Sequence, residues 1–383
     1  MTEVLAEREQ RVTPLELFFD LVFVFAFTQV TLALSNNPTW SGLGHAFLML
    51  GVLWWAWASY AWLTNTVDPG LGPVSAAMLV AMAAMFIAAI AVPDAFGSHG
   101  VLFGVAFLIV AVMHLTLYAL SARRDPDLLA AILRVAPSEL MGAFLIIVAG
   151  FVHGDLKPIL WLAALAIAYG APFVIGTHGW RVQPDHFAER HGLIVIIAIG
   201  ESLIAIGAGE KVSGLKGEVI VAAVLGFAVT TSFWLAYFDF FTIRARQLLS
   251  ERSGDERAAL GRDVYTYLHY PMVAGIVLFA FALKTTLADV GADLSVVPAF
   301  GLCCGPALYL FAFAVLRLRV SGTVRGGRLI AAAACALFWP VAVVVPGLVS
   351  LAVVTIVWLG LHAYEIIWWR EARAATRALQ LPV

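Results

Sequence analysis

Apolar residues along the chain fall into runs of about 20 residues, apolar on every side and separated by short polar segments. A run of that length spans about 30 Å of hydrocarbon as a helix. In hydrocarbon each backbone amide must be paired within its own segment, which makes helices the default. The strand alternation of a membrane barrel is absent. The pattern predicts helices at roughly 15–34, 43–64, 74–92, 99–120, 136–152, 158–177, 190–208, 217–241, 268–288, 296–316, 328–345 and 347–369. The expected fold class is therefore all-α: a polytopic membrane protein of about twelve transmembrane helices. Pro340 and Pro346 interrupt the eleventh, which leaves almost no loop before the twelfth.

The polar segments carry a second signal. All 19 arginines fall in the two tails or in the loops after even-numbered helices, and all 4 lysines fall on the other face. A missed or invented helix would scramble this sorting downstream of the error. The positive-inside rule then predicts that both termini are cytoplasmic. Residues 1–241 hold six helices, ending near 177, and helices seven and eight. A polar cytoplasmic loop follows at 242–267, and a second six-helix unit is expected over 178–383. At an offset of 172 the run Leu21–Ala26 overlies Leu193–Ala198, and Gln29 overlies Glu201. Trp57 and Tyr60 have counterparts in Trp234 and Tyr237, and Gly104 and Ala106 in Gly305 and Ala307. These matches predict two parallel six-helix repeats related by an axis along the membrane normal.

Composition agrees with the pattern: 62% of residues are hydrophobic, 13% are charged, and the mean hydropathy is +0.93. That is too few charges to cover a soluble globule. The partner expected first is the lipid bilayer. A net charge of −2 gives no reason to expect nucleic acid. Cys303, Cys304 and Cys335 lie in apolar runs, without disulfide or metal spacing. The first 14 residues are polar and lack a small-residue cleavage site, so the first run reads as a retained helix. His-Glu-x-x-His, P-loop and Gly-x-Ser-x-Gly signatures are missing, so no enzyme activity and no cofactor are expected.

Charged groups at mid-bilayer cost about 2.5–3.5 kcal/mol each and need a reason. Glu201 sits eleven residues into its predicted helix, about 16 Å deep. Gln29 lies at the matching depth and is its expected partner. Glu16 and Asp20 share one face near the inner end of the first helix. With Ser202 beside Glu201, these residues are the candidates for a transport path, and the bland alternative is polar glue between helices. Around His178, His186, Glu189 and His191 no established zinc spacing occurs, so no metal is expected. The segment reads instead as a wetted loop whose Glu189 and Arg190 pair with Glu16 or Asp20. Asp239 is placed to pair with Arg244 or Arg246. His114, His269 and His362 are possible proton relays, although a lone histidine in a bundle is more often a packing residue.

The run Thr13-Pro14-Leu15-Glu16-Leu17-Phe18-Phe19-Asp20-Leu21-Val22-Phe23-Val24 resembles the opening signature of the bacterial low temperature requirement A family. His186-Phe187-Ala188-Glu189-Arg190 with Gly200-Glu201-Ser202 resembles its second signature, and Tyr265-x-Tyr267-x-His269-x-Pro271 a third. The resemblance spans essentially the whole chain. It implies a multi-helix membrane protein linked by the family name to growth in the cold, and it supplies no substrate. Phe18-Phe19-Asp20, followed by Val22 and Ala26, is also similar to the Phe-Ser-Asp pore helix of potassium channels built from six-helix repeats, with Phe19 in place of serine. The function expected is a channel or transporter for an ion or small solute, with proton coupling as one form. The alternative is a non-transporting lipid-binding, sensing or assembly factor.

Overall fold

A computed structural model describes residues 11–70, 72–213, 216–239, 241–324 and 326–368. The terminal tails expected in the cytoplasm, with Arg8, Arg370, Arg373 and Arg377, lie outside the described residues, as does Arg325. The first six helices are α1 (Pro14–Asn36), α2 (Trp40–Thr64), α3 (Gly72–Ala91), α4 (Gly100–Ser121), α5 (Pro126–Phe151) and α6 (Leu156–Ile175). There follow α7 (Pro184–Ser213), α8 (Gly217–Phe238), α9 (Phe241–Glu251), α10 (Gly254–Leu260), a π-helical turn (Gly261–Tyr267), α11 (His269–Ala288), α12 (Val296–Ser321), α13 (Gly326–Ala342) and α14 (Gly347–Trp368). Eleven described helices are long and apolar enough to cross a membrane, and α13 is a shorter apolar helix of 17 residues.

Three predicted boundaries move, each for a local reason. α5 begins ten residues before the predicted start. Asp125 caps it by accepting the Leu128 amide at 3.1 Å, Pro126 occupies the first helical position, and Pro137 is accommodated inside. α7 begins at Pro184, so the segment expected as a wetted loop forms its first two turns, with His186, Arg190 and His191 buried. Residues 242–267, expected as a loop, are helical: α9 lies against α7 and α8, and α10 with the π-turn leads directly into α11. Pro271, which lacks an N–H and crowds the carbonyl four residues back, accounts for the irregular turn upstream of α11.

The two halves have the same order of neighbours. In the first, α1 packs on α2 and α3, α3 on α4, α4 on α5, α5 on α6, and α6 on α2. In the second, α7 packs on α8 and α11, α11 on α12, α12 on α13, α13 on α14, and α14 on α8. Small residues permit the closest crossing. A Cβ on Gly275 of α11 would lie 2.6 Å from the Gly305 carbonyl oxygen of α12, and the converse distance is 2.7 Å. Across the halves α1 meets α7 and α11, while α2 touches both, and these contacts form a central seam.

One end of the molecule is knitted by arginine. Arg181 bonds Asp125 at 3.1 Å, Arg134 the His178 carbonyl at 2.6 Å, Arg257 the Val182 carbonyl at 3.3 Å, and Arg319 Asp263 at 2.9 Å. Arg246 pairs with Asp185. The arginine-bearing segments thus contact one another, as the sorting of basic residues requires. At the opposite end the turn into α14 is pinned to the α11–α12 connection, through Gly347 N–H to Ala292 O (2.9 Å) and Leu348 N–H to Val290 O (3.0 Å).

Candidate functional site

The seam contains a buried ionic cluster at its arginine-rich end. Thr13, Pro14 and Glu16 form a capping box that starts α1, with Glu16 Oε2 accepting from the Thr13 amide (2.8 Å) and hydroxyl (2.9 Å). The i, i+4 spacing puts Glu16 and Asp20 on one face of α1, and His186 and Arg190 on one face of α7. These faces meet. Glu16 Oε1 lies 3.0 Å from His186 Nε2 and 3.4 Å from an Arg190 terminal nitrogen. Arg190 donates to Asp20 Oδ1 at 2.8 Å, and Trp57 Nε1–H of α2 donates to the same oxygen at 2.9 Å. All four ionisable side chains are 1% exposed or less.

The hydrogen-bond pattern assigns the His186 tautomer. Asn65 Oδ1 accepts the Gln183 amide at 2.7 Å, which turns its Nδ2 toward His186 Nδ1 at 3.2 Å. Nδ1 therefore accepts, which leaves the hydrogen on Nε2, the nitrogen 3.0 Å from Glu16 Oε1. Two carboxylates then face one guanidinium, and among the described residues Glu16 Oε1, Asp20 Oδ2, Arg190 Nε and Arg190 Nη1 have no hydrogen-bond partner.

Aromatic rings close this cluster from the side. His191 Nδ1–H donates to the Phe187 carbonyl at 2.8 Å, with Trp57, Tyr265 and His269 around the imidazole at centroid distances of 4.8, 4.9 and 5.3 Å. His269 Nδ1–H donates to the Val264 carbonyl of the π-turn at 2.8 Å, and its Nε2 accepts the Tyr237 hydroxyl at 2.8 Å. The π-turn also presents the Thr266 carbonyl to Trp54 Nε1–H at 2.7 Å. Three motifs remote in sequence, around Asp20, Arg190 and His269, thus converge at one end of the seam.

Farther along α7 stands Glu201, 3% exposed. Its Oε2 accepts the Thr28 hydroxyl and its Oε1 the Thr31 hydroxyl, both at 2.6 Å and both from α1. The partner expected from the offset of 172 was Gln29; the actual partners flank it, and Gln29 is half-buried. An apolar layer separates Glu201 from the ionic cluster: Phe23, Ala26 and Phe27 of α1 against Ile194, Val195 and Ala198 of α7, all fully buried.

The remaining candidates are dispersed. Ser202 is fully buried, and its hydroxyl has no hydrogen-bond partner among the described residues. Glu189 is exposed and accepts the Val12 amide at 3.3 Å, whereas Arg190 makes the expected pair with α1. Asp239 is the half-buried C-cap residue of α8, while Arg246 pairs with Asp185 and Arg244 with Gln247 at 2.9 Å. His362 is buried against Trp358, and Glu365 below it forms a two-pronged pair with Arg328 at 2.8 and 3.3 Å. His114 Nδ1 bonds Glu139 Oε1 of α5 at 2.9 Å. Glu139, Thr28 and Thr31 were missed by the sequence reading. Glu139 was visible as a carboxylate inside an apolar run; the threonines carried no comparable signal.

Eleven apolar crossings and a buried ionic seam define a polytopic α-helical membrane protein. The chain belongs to the bacterial low temperature requirement A protein (LtrA) family, whose model matches residues 11–363. It is similar to the uncharacterized protein RA0937 of Rhizobium meliloti (strain 1021), 32% identical over 285 residues, which cover 71% of this chain and 69% of that one. No solved structure matches it.

Proposed function

We propose that the protein is a transporter or channel of the bacterial inner membrane that moves an ion or small solute along the α1–α7–α11 seam, with Glu201 exchanging a proton during the cycle. The hydrogen bonding of Glu201 carries this reading. Each threonine hydroxyl that reaches the carboxylate also has a carbonyl of its own helix within reach, Val24 O at 3.1 Å for Thr28 and Thr28 O at 2.9 Å for Thr31. A hydroxyl has one hydrogen and two lone pairs. When Glu201 is ionised, both threonines donate to it. When it is protonated, its O–H donates to one threonine oxygen, and that threonine turns its hydrogen to the helix carbonyl. Hydroxyl rotation alone satisfies both states, with no movement of backbone.

The ionic cluster plays a different part. Arg190 cannot lose its proton, so Glu16 and Asp20 face a permanent charge. They form the cytoplasmic anchor and inner mouth of the path. Both termini are cytoplasmic in this reading, on the strength of the arginine sorting. The shared order of helix neighbours supports a duplicated six-helix unit, with the path at the junction of the copies. No enzymatic step is assigned.

The test is flux in proteoliposomes across a panel of monovalent and divalent ions, with internal pH followed in parallel. Transport that varies with pH in the native protein, and loses that variation in Glu201→Gln, supports the reading. Glu201→Gln with unchanged flux at every pH rejects the coupling role. The apolar layer between Glu201 and the ionic cluster favours the second reading, a non-transporting lipid-binding, sensing or assembly factor whose acids hold helices together. Absence of flux for every ion, at every pH, selects that one.

A further inference from the structure

Away from the seam, a cavity of about 70 Å³ opens among α2, α4, α5, the end of α6 and the π-turn. Neither Glu16, Asp20 nor Glu201 lines it. Its volume is about five times the minimum that one water needs, room for a head of roughly five heavy atoms. Its walls are aromatic: Trp55, Trp62, Tyr118, Trp180 and Tyr267. Burial grades along it. His114 and Glu139, 5% and 6% exposed, are buried in its wall with Trp55, Tyr118 and Thr266, while Trp62, Trp180, Tyr267 and Arg262 are half-buried.

The polar groups give the cavity a sign. Arg262 is already committed to Asp263, at 2.7 and 2.8 Å, and to the Pro172 carbonyl at 2.9 Å. Glu139 Oε1 is bonded to His114 Nδ1 at 2.9 Å, and among the described residues no arginine or lysine pairs with this carboxyl group. His114 Nε2, buried in the cavity wall, has no hydrogen-bond partner among the described residues. A buried carboxylate in the wall of a cleft lined by indole and phenol rings selects for positive charge. Ring faces attract cations, most strongly where water is excluded, and a diffuse alkylammonium is less costly to desolvate than a metal ion. An anion would meet Glu139 without a free cation to offset it.

We propose that this cavity binds a small organic ammonium ion, with its cationic head between Glu139 and the aromatic walls. The site is independent of the transport reading, since none of its residues lies on the Glu201 path.

The test is calorimetric titration of the full-length protein in detergent with choline, with its uncharged carbon isostere dimethylbutanol, and with benzoate. Choline is expected to bind at least about tenfold more tightly than dimethylbutanol, because the isostere keeps the shape and loses the cation–ring attraction. Glu139→Gln keeps an acceptor for His114 and removes the charge. It should reduce this preference severalfold while leaving the melting curve unchanged, and Trp180→Leu should weaken choline binding more than dimethylbutanol binding. Should Glu139→Gln fail to fold, the comparison of the three ligands on the native protein still decides. Equal binding of choline and dimethylbutanol, tighter binding of benzoate, or no binding of choline overturns the proposal.

Discussion

Glu16 and Asp20 sit at the arginine-rich end of the seam against a guanidinium, whereas Glu201, about 16 Å farther along α7 from Arg190, is hydrogen-bonded by two threonine hydroxyls, with Lys284 the cation that acts on it. Both sites are buried, both join α1 to α7, and both use carboxylates. The difference lies in what holds them. A guanidinium has one charge state and a fixed fork of donors, so it locks its acids and fixes the register of the two helices. A threonine hydroxyl donates or accepts by rotation, so it tolerates either state of the acid. The first arrangement is an anchor and the second is a switch. Which one a buried acid belongs to is decided by its partners and not by its depth.

Breaking the anchor has the largest expected effect. Arg190→Met leaves Glu16 and Asp20 buried without their cation, and should destabilise the protein by about 3–5 kcal/mol, read as a lower melting temperature in detergent. A variant that melts like the native protein would place these acids in contact with water. At the switch the penalty should be smaller. Glu201→Leu strands two hydroxyls that retain helix carbonyls as acceptors, so its cost should fall within about 1–3 kcal/mol. Glu201→Gln should melt close to native. If Glu201→Leu costs as much as Arg190→Met, the contrast between the sites collapses.

A third variant lies outside the seam and sharpens the comparison as a surface reference. Asp125 caps α5, and the Leu128 amide, helped by Arg181, holds its carboxyl below the usual carboxylate range. A depressed folded value means that the contribution is present at neutral pH and is lost as pH falls through that value. Asp125→Ala should cost about 1 kcal/mol at neutral pH. The difference should vanish when native and variant melts are compared in acid below the folded value. A gap that persists there would mean that the capping charge is not its source.

The helices were legible because mid-membrane segments must be apolar throughout; of the twelve expected, eleven are long and apolar enough to cross a membrane and α13 is shorter. The starts of α5 and α7 were harder. Their first turns carry Arg134, Asp185 and His186, and polar residues in a membrane chain read as loop. Yet Asp125-Pro126 and Gln183-Pro184 are ordinary helix openings. The pairing of Arg190 with α1 followed from charge alone. That of Glu201 did not. Pseudo-symmetric alignment gives depth, which pointed to Gln29, while the crossing of two helices decides which face points inward, and there it is Thr28 and Thr31 that reach the carboxylate. Glu139 was overlooked beside Glu201 because its partner, His114, lies on α4 and was weighed alone.

The central claim, that Glu201 exchanges a proton, is tested most directly by infrared difference spectroscopy of the lipid-reconstituted protein during a pH titration. The account predicts a carboxylic-acid carbonyl band that appears as pH falls, shifts in deuterated water, disappears in Glu201→Gln, and persists in Thr28→Val at a changed frequency. A titrating band that survives in Glu201→Gln, or no such band in the native protein at any pH at which it remains folded, would contradict it.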